Sequence, residues 1–220
     1  MSEERPWAMQ LAARVEKIDP PPVDAIWEAA ILATVGLLAD GRSCGDGPWA
    51  EAVDHWNGRR IRKIVRRARG AAWERAQAAD GVTVHHRGAE VRAFVPCPVD
   101  APPAEVARLQ IQSTPLDEPD ADRAEPTSPG TLVVTLTPEV EMSWGKRAAQ
   151  SAHAGQWAWM RADDERRATW AAAGRPVRVH MAADSTAWAD AVDAATVEIH
   201  DGGFTEIAAG TKTAVARWSP

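Results

Sequence analysis

Two short stretches carry side chains able to do chemistry. The first is Gly145-Lys146-Arg147-Ala148-Ala149-Gln150-Ser151-Ala152-His153-Ala154, where Lys146, Gln150, His153 and Trp157 recur at i, i+4, i+7 and i+11 and so share one helix face. A lysine that opens a helix after a strand and a loop is placed to receive an anionic group, because its ammonium adds to the positive helix end. The second is Asp201-Gly202-Gly203-Phe204-Thr205, with Thr211 and Thr213 a few residues on. Asp201 follows a strand-like segment, and the threonines bring hydroxyls close to it. Each stretch also has a plain reading: a solvated lysine at a helix start, and an Asx turn beside threonines favoured by strand propensity.

The elements that must position these groups follow from the pattern. Leu132–Leu136 is the apolar run of a buried strand, and a loop with Pro138, Glu139 and Met142 follows it. From Lys146 onward the chain is rich in alanine and free of breakers, which predicts a helix. Ala148, Ala152 and Gly155 lie on another side of it, small enough for close approach to a sheet. Val197–His200 alternates as a strand, the two glycines after Asp201 permit a tight turn, and 214–218 reads as a final strand. In open α/β sheets functional residues gather at the carboxyl ends of strands. Lys146 and Asp201 therefore share one edge if Leu132–Leu136 and Val197–His200 run parallel.

Together the two stretches resemble the type 2 peptidyl-tRNA hydrolases, whose pattern runs G-K-G-K-x-A-A-Q-x-x-H-A early and D-A-G-x-T-x-x-x-x-G-T-x-T late. The chain carries Ser143-Trp144-Gly145-Lys146-Arg147-Ala148-Ala149-Gln150-Ser151-Ala152-His153-Ala154, then Asp201-Gly202-Gly203-Phe204-Thr205 and Gly210-Thr211-Lys212-Thr213. Between them Trp170, Gly174, Arg175 and Pro176 precede a strand, as in the family's W-x-x-x-G-x-P segment. The resemblance covers 131–220. It implies a small mixed-sheet α/β/α domain that hydrolyses the ester joining a peptide to the 3′-terminal ribose of tRNA. It also implies peptidyl-tRNA as partner, no cofactor and no metal, and a homodimer, since family members often pair.

On that resemblance Asp201 takes or orients the proton of the attacking water, which Thr205 and Thr213 hold, and Lys146 stabilises the developing oxyanion or a neighbouring phosphate. Gln150, His153 and Thr211 contact substrate or anchor the helix. Ser143-Trp144 stands where the family has a first Gly-Lys, and Phe204 where a basic residue is usual, which lowers positive charge near the site. Two other readings stay open: a non-catalytic member of the same fold that holds tRNA or a protein, and a hydrolase or transferase acting on another acyl ester.

The rest of the chain sets bounds. Its 220 residues suffice for one or two domains, and 45% hydrophobic with 25% charged residues is ordinary for a soluble globular protein. A net charge of −6 is mildly acidic, but it hides a basic run, Arg59-Arg60-Ile61-Arg62-Lys63-Ile64-Val65-Arg66-Arg67-Ala68-Arg69. Cys44 and Cys97 lie in unrelated settings, which reads as two free thiols. No charged-then-apolar leader stands at 1–16, and the longest apolar candidate, 29–39, is about half what a bilayer needs. No membrane association and a cytoplasmic location are expected.

Residues 1–112 read as a mainly helical region with one β-hairpin. Trp7, Leu11, Val15 and Ile18 have helical spacing across 2–17, Pro20-Pro21-Pro22 closes that segment, and a second helix starts near Asp24. In the basic run Ile61, Ile64, Val65, Ala68 and Ala72 form one apolar helical face, leaving Arg62, Arg66 and Arg67 to meet tRNA phosphates; a solvated face balanced by Asp117, Glu118, Asp120, Asp122 and Glu125 is the alternative. The alternating segments on either side of Arg87-Gly88 make the hairpin at 82–95. A proline-rich acidic linker, 113–130, then leads to the 131–220 domain. Of the eleven tryptophans, Trp144, Trp157, Trp159 and Trp170 cluster around the motif helix, where they either stack on bases or, as is more usual, fill the core; Trp144, in the loop just before Lys146, is the exception to watch.

Overall fold

The computed structural model describes residues 5–58, 61–111, 115–117, 128–203 and 206–220. The chain runs β1 (Trp7–Arg14), α1 (Val23–Leu38), α2 (Ala50–Asn57), β2 (Arg62–Ala68), α3 (Gly70–Ala76), β3 (Gly81–His86), β4 (Ala89–Phe94), β5 (Cys97–Pro98) and α4 (Ala104–Ala107). It continues as β6 (Leu132–Leu136), α5 (Trp144–Arg161), α6 (Asp164–Ala172), β7 (Val177–Met181), α7 (Ser185–Asp193), β8 (Val197–His200) and β9 (Lys212–Trp218). Among the described residues no helix is long and apolar enough to cross a membrane.

The apolar sequence of α1 leaves it almost no polar face, and every residue of it except Gly36 is buried. Such a helix must be covered on all sides. It is covered by two sheets and by α5. One sheet has the order β2-β1-β4-β3, with β5 beside β1, and the other has β7-β6-β9-β8. α1 lies on the first sheet and α5 on the second, and the two helices pack on each other between them. Met9, Leu11 and Ala13 of β1 and Leu132, Val134 and Leu136 of β6 point into this shared core. Gly155 of α5 sets how closely the helices approach, since a Cβ there would lie 2.3 Å from Ile31 Cγ2.

The two sheets repeat one topology. β1 runs parallel to β2 and β6 parallel to β7, and β4 and β9 are antiparallel insertions beside β1 and β6. The registers also agree. Leu11 pairs with Val65 and Ala93, and Ala93 with Val82; Val134 pairs with Val179 and Ala216, and Ala216 with Val197. On the outer faces Trp73 of α3 and Trp188 of α7 are buried at matching places. The same step of nine residues separates Trp73 from Val82 and Trp188 from Val197.

These strands correct the mainly helical reading of 1–112. The segment at 7–14 is a strand buried on both faces, so its apolar residues follow burial and show no single period. Met9, Leu11, Ala13 and Val15 do alternate, but the alanines between them hide it. The basic run is an edge strand, β2, with its β-branched residues paired against β1. Charged side chains on an edge strand also discourage pairing with other chains. The hairpin is present as β3 and β4. Arg87 and Gly88 between them both have positive φ, the conformation of a two-residue turn matched to strand twist. Of the linker, 113–114 and 118–127 lie outside the described residues.

Candidate functional site

The second sheet brings the two chemical stretches together. β6 and β8 are both antiparallel to β9, so they run parallel and their carboxyl ends share one edge. α5 starts at that edge. Ser143 caps it by accepting a hydrogen bond from Lys146 N at 3.2 Å. The serine also donates to Glu206 through its own N and Oγ, at 2.9 and 2.7 Å, which ties the loop after Asp201 to the helix start. The residue that departs from the family pattern thus has a structural job. Trp144 is buried, and its carbonyl accepts from Trp27 Nε1 at 3.2 Å; the expectation that it meets substrate is corrected. Trp157 is the tryptophan that lines the cleft.

Asp201 is held from every side. Its Oδ2 accepts from Lys146 Nζ in an ion pair and from Gln150 Nε2 at 2.7 Å, and its Oδ1 accepts from Gly203 N at 2.8 Å. Its backbone exchanges bonds of 2.8 Å with Thr211 O and Gly210 N, closing the loop. Gly203 has positive φ, and a Cβ on it would strike Ala209, so glycine is required for that closure. Both charged side chains are largely buried, at 13% and 4% exposure, so the pair interacts in a medium less screening than water. Because Gln150 donates to Asp201, its Oε1 faces away; that oxygen is buried and has no hydrogen-bond partner among the described residues.

A cleft of about 730 Å³ opens over this pair. Lys146, Gln150, His153 and Asp201 form one wall, and another is formed by Ile61 and by Arg62 and Lys63 of β2 in the first sheet. Lys63 Nζ donates to His153 Nδ1 at 3.3 Å and to Gln156 Oε1, and lies 4.9 Å from the centre of the Trp56 ring. Burial pushes the Lys63 ammonium well below the usual lysine range. Burial, and then the charges of Lys63 and Lys146, push the His153 imidazole well below its ordinary value, so the ring is neutral.

Of the residues singled out from sequence, Lys146, Asp201, Gln150, His153 and Arg62 meet at this cleft. Thr211 adjoins it through its backbone. Thr213 is fully buried behind the cleft, and its hydroxyl donates at 3.3 Å to the carbonyl of Ile199, a lining residue. Thr205 lies outside the described residues. Arg66 and Arg67 are not among the residues lining the cleft. Buried Arg66 donates to Gln10 Oε1 and Leu109 O, each at 2.9 Å, and Arg67 to Val15 O at 3.2 Å. Lys63, Gln156 and Glu206 were missed. Reading the basic run with a strand period puts Lys63 on the same side as the buried Val65, which is the signal that finds it.

The first repeat holds a reversed pair at the equivalent place. The shared register makes His86, four residues past Val82, the counterpart of Asp201, four past Val197. His86 Nε2 lies 2.8 Å from Glu28 Oε2 of α1, which also accepts from Arg87 at 2.6 Å; Glu28 Oε1 accepts from Val179 N of β7 at 3.2 Å. Here the carboxylate is on the helix and joins the two halves. Compared with models of protein families and with curated protein sequences, the chain finds no match in either.

Proposed function

We propose that the chain hydrolyses the ester linking a peptide, or an N-blocked aminoacyl group, to the 3′-terminal ribose of tRNA. The observation that carries this reading is the buried Lys146–Asp201 pair at the floor of the cleft, with Gln150 Nε2 donating to the same carboxylate. The resemblance of the two motifs to type 2 peptidyl-tRNA hydrolases supports it, as does the four-stranded mixed sheet with helices on both faces that carries them.

In this mechanism Asp201 takes a proton from a water, whose oxygen attacks the ester carbonyl carbon. Lys146 neutralises the charge that forms on the carbonyl oxygen. Such a donor in a dry site is worth about 2.7–4 kcal/mol, a factor of roughly 10²–10³ in rate. The carbon–oxygen bond to the ribose then breaks, and the proton held by Asp201 passes to the leaving 3′ oxygen. Hydroxyl contacts by Thr205 and Thr213 to that water belong to the family resemblance; the Thr213 hydroxyl donates to Ile199 O.

The test is turnover of N-blocked aminoacyl-tRNA by the full chain. Asp201→Asn and Lys146→Ala each lose activity a hundredfold or more while the fold, followed by circular dichroism, is kept. Full activity in either variant removes the assignment. A wild-type chain that binds the tRNA without turnover is instead a binding protein of the same architecture.

A further inference from the structure

The wall formed from β2 holds a cation that the reaction above leaves without a role. Lys63 reaches the cleft from β2, and its ammonium touches an amide oxygen, a ring nitrogen and the Trp56 face. Among the described residues no carboxylate lies within 4.0 Å of it. Buried ammonium groups are ordinarily paired with an acid, because desolvating an unpaired charge is costly. The first repeat shows that pattern, where Arg87 meets both Asp24 and Glu28. Among the described residues Lys63 supplies a positive group with no acid beside it.

The surroundings define what would complete the pair. Gln156 is held in one orientation by its own bond to Asn57 Oδ1 at 3.1 Å, so its oxygen faces the lysine. His153 accepts at Nδ1, which leaves Nε2 as its N–H donor. Arg62, next to Lys63, lines the same cleft. Lys63 comes from β2 and His153 from α5, so donors from two elements meet at this point, which suits an anion with several oxygens. Ile111 and Trp157 add apolar surface on which a base can lie. His153 stands seven residues from Lys146 on α5, about 10 Å along the helix, so the donors lie beyond the ester and not on it.

We propose that Lys63, with His153 and Arg62, forms a second anion subsite that takes a phosphodiester of the nucleic acid whose terminal ester lies at Lys146 and Asp201. This rests on the esterase reading. It gives the first repeat a function: its edge strand is the substrate-binding wall of the site carried by the second. An incoming phosphate supplies the counter-ion that Lys63 lacks, and burial makes that contact stronger than a surface one.

The experiment compares two esters, N-blocked aminoacyl-tRNA and the same aminoacyl group on the 3′ oxygen of adenosine, which has no phosphate. In Lys63→Met the ratio of kcat/KM for the tRNA over that for the adenosine ester falls ten- to hundredfold, the loss of one charge-assisted contact. The salt dependence of tRNA binding falls by about one ion. Lys63→Arg restores most of the ratio and controls for folding. An unchanged ratio, whether both esters are lost equally or neither is affected, overturns the subsite. A 5′-phosphorylated CCA trinucleotide separates this proposal from the esterase reading. If the wild type cleaves neither ester, the esterase reading fails. In that case tighter binding of the trinucleotide to wild type than to Lys63→Met still supports the subsite, and equal or absent binding removes it.

Discussion

Replacing Gly155 by alanine tests the packing on which the cleft depends. Gly155 lies in α5 where it crosses α1, and an added Cβ would stand 2.3 Å from Ile31 Cγ2, 3.0 Å from Cγ1 and 3.1 Å from Cβ. Carbon atoms pack at about 3.5–4.0 Å, so relief needs a shift of about 1 Å. All three atoms sit at the branch of a fully buried side chain, and the branch carbon does not move with a rotamer change. The helices cannot part freely either, because a sheet lies behind each of them. Overpacking of this kind costs about 1–3 kcal/mol, and the better helix propensity of alanine offsets about 1 kcal/mol. With both helices confined, the net expectation is a loss of about 2 kcal/mol.

Ile31→Ala removes two of the three clashing atoms. Alone it leaves a cavity and costs about 2–5 kcal/mol. Combined with Gly155→Ala, the new methyl enters the space the isoleucine vacated. The double variant is therefore more stable than the sum of the single losses predicts, by about 1–3 kcal/mol. Urea unfolding of the four proteins, with stability from the midpoint and slope, measures the cycle. If Gly155→Ala unfolds at or above the wild-type midpoint and the two changes are additive, the α1–α5 contact is not as described. The shared core of the two repeats then loses its support.

Three further outcomes follow from the same contacts. Glu28→Ala strips the acceptor from Arg87, His86 and Val179 N and destabilises by about 3 kcal/mol, read by urea unfolding; a loss under about 1 kcal/mol means the link between repeats is carried elsewhere. Arg66→Met costs about 1–3 kcal/mol by leaving Gln10 buried without its partner, and tRNA affinity at matched salt does not change; a selective loss of affinity would return Arg66 to the interface. His153 is kept neutral when folded but takes a proton below about pH 6.5 when unfolded, so the unfolded state binds more protons there. Stability consequently falls as pH drops below 6.5 toward the depressed folded value, with a slope of at most about 1.4 kcal/mol per pH unit. His153→Gln lacks that component while keeping the carboxylates Asp201, Glu198 and Glu206, so wild type and variant with parallel stability–pH curves below 6.5 would refute it.

Local pattern alone determined the second repeat. Leu132–Leu136, the alanine-rich helix from Lys146, the alternation at Val197–His200 and the glycines after Asp201 are each local signals, and the elements they predict are present. The convergence of Lys146 and Asp201 was legible too, because sequence order and strand direction bring parallel strand ends to one edge. The hairpin around Arg87-Gly88 was legible for the same local reason.

What only tertiary structure decided was which period governs 7–14 and 62–68. Both segments satisfy a helical and a strand pattern, since alanine and β-branched residues fit either, and pairing of β1 with β2 across half a hundred residues selected the strand. That choice turned Arg66 inward to Gln10 and Lys63 toward α5, a difference no local rule supplies. The duplicated topology left traces in sequence, in the matching steps from Trp73 to Val82 and from Trp188 to Val197, but too few identities to stand out. The cleft itself exists because two sheets close on one pair of helices. Its basic wall and the floor that holds Lys146 come from segments more than eighty residues apart, joined by burial and not by any local preference.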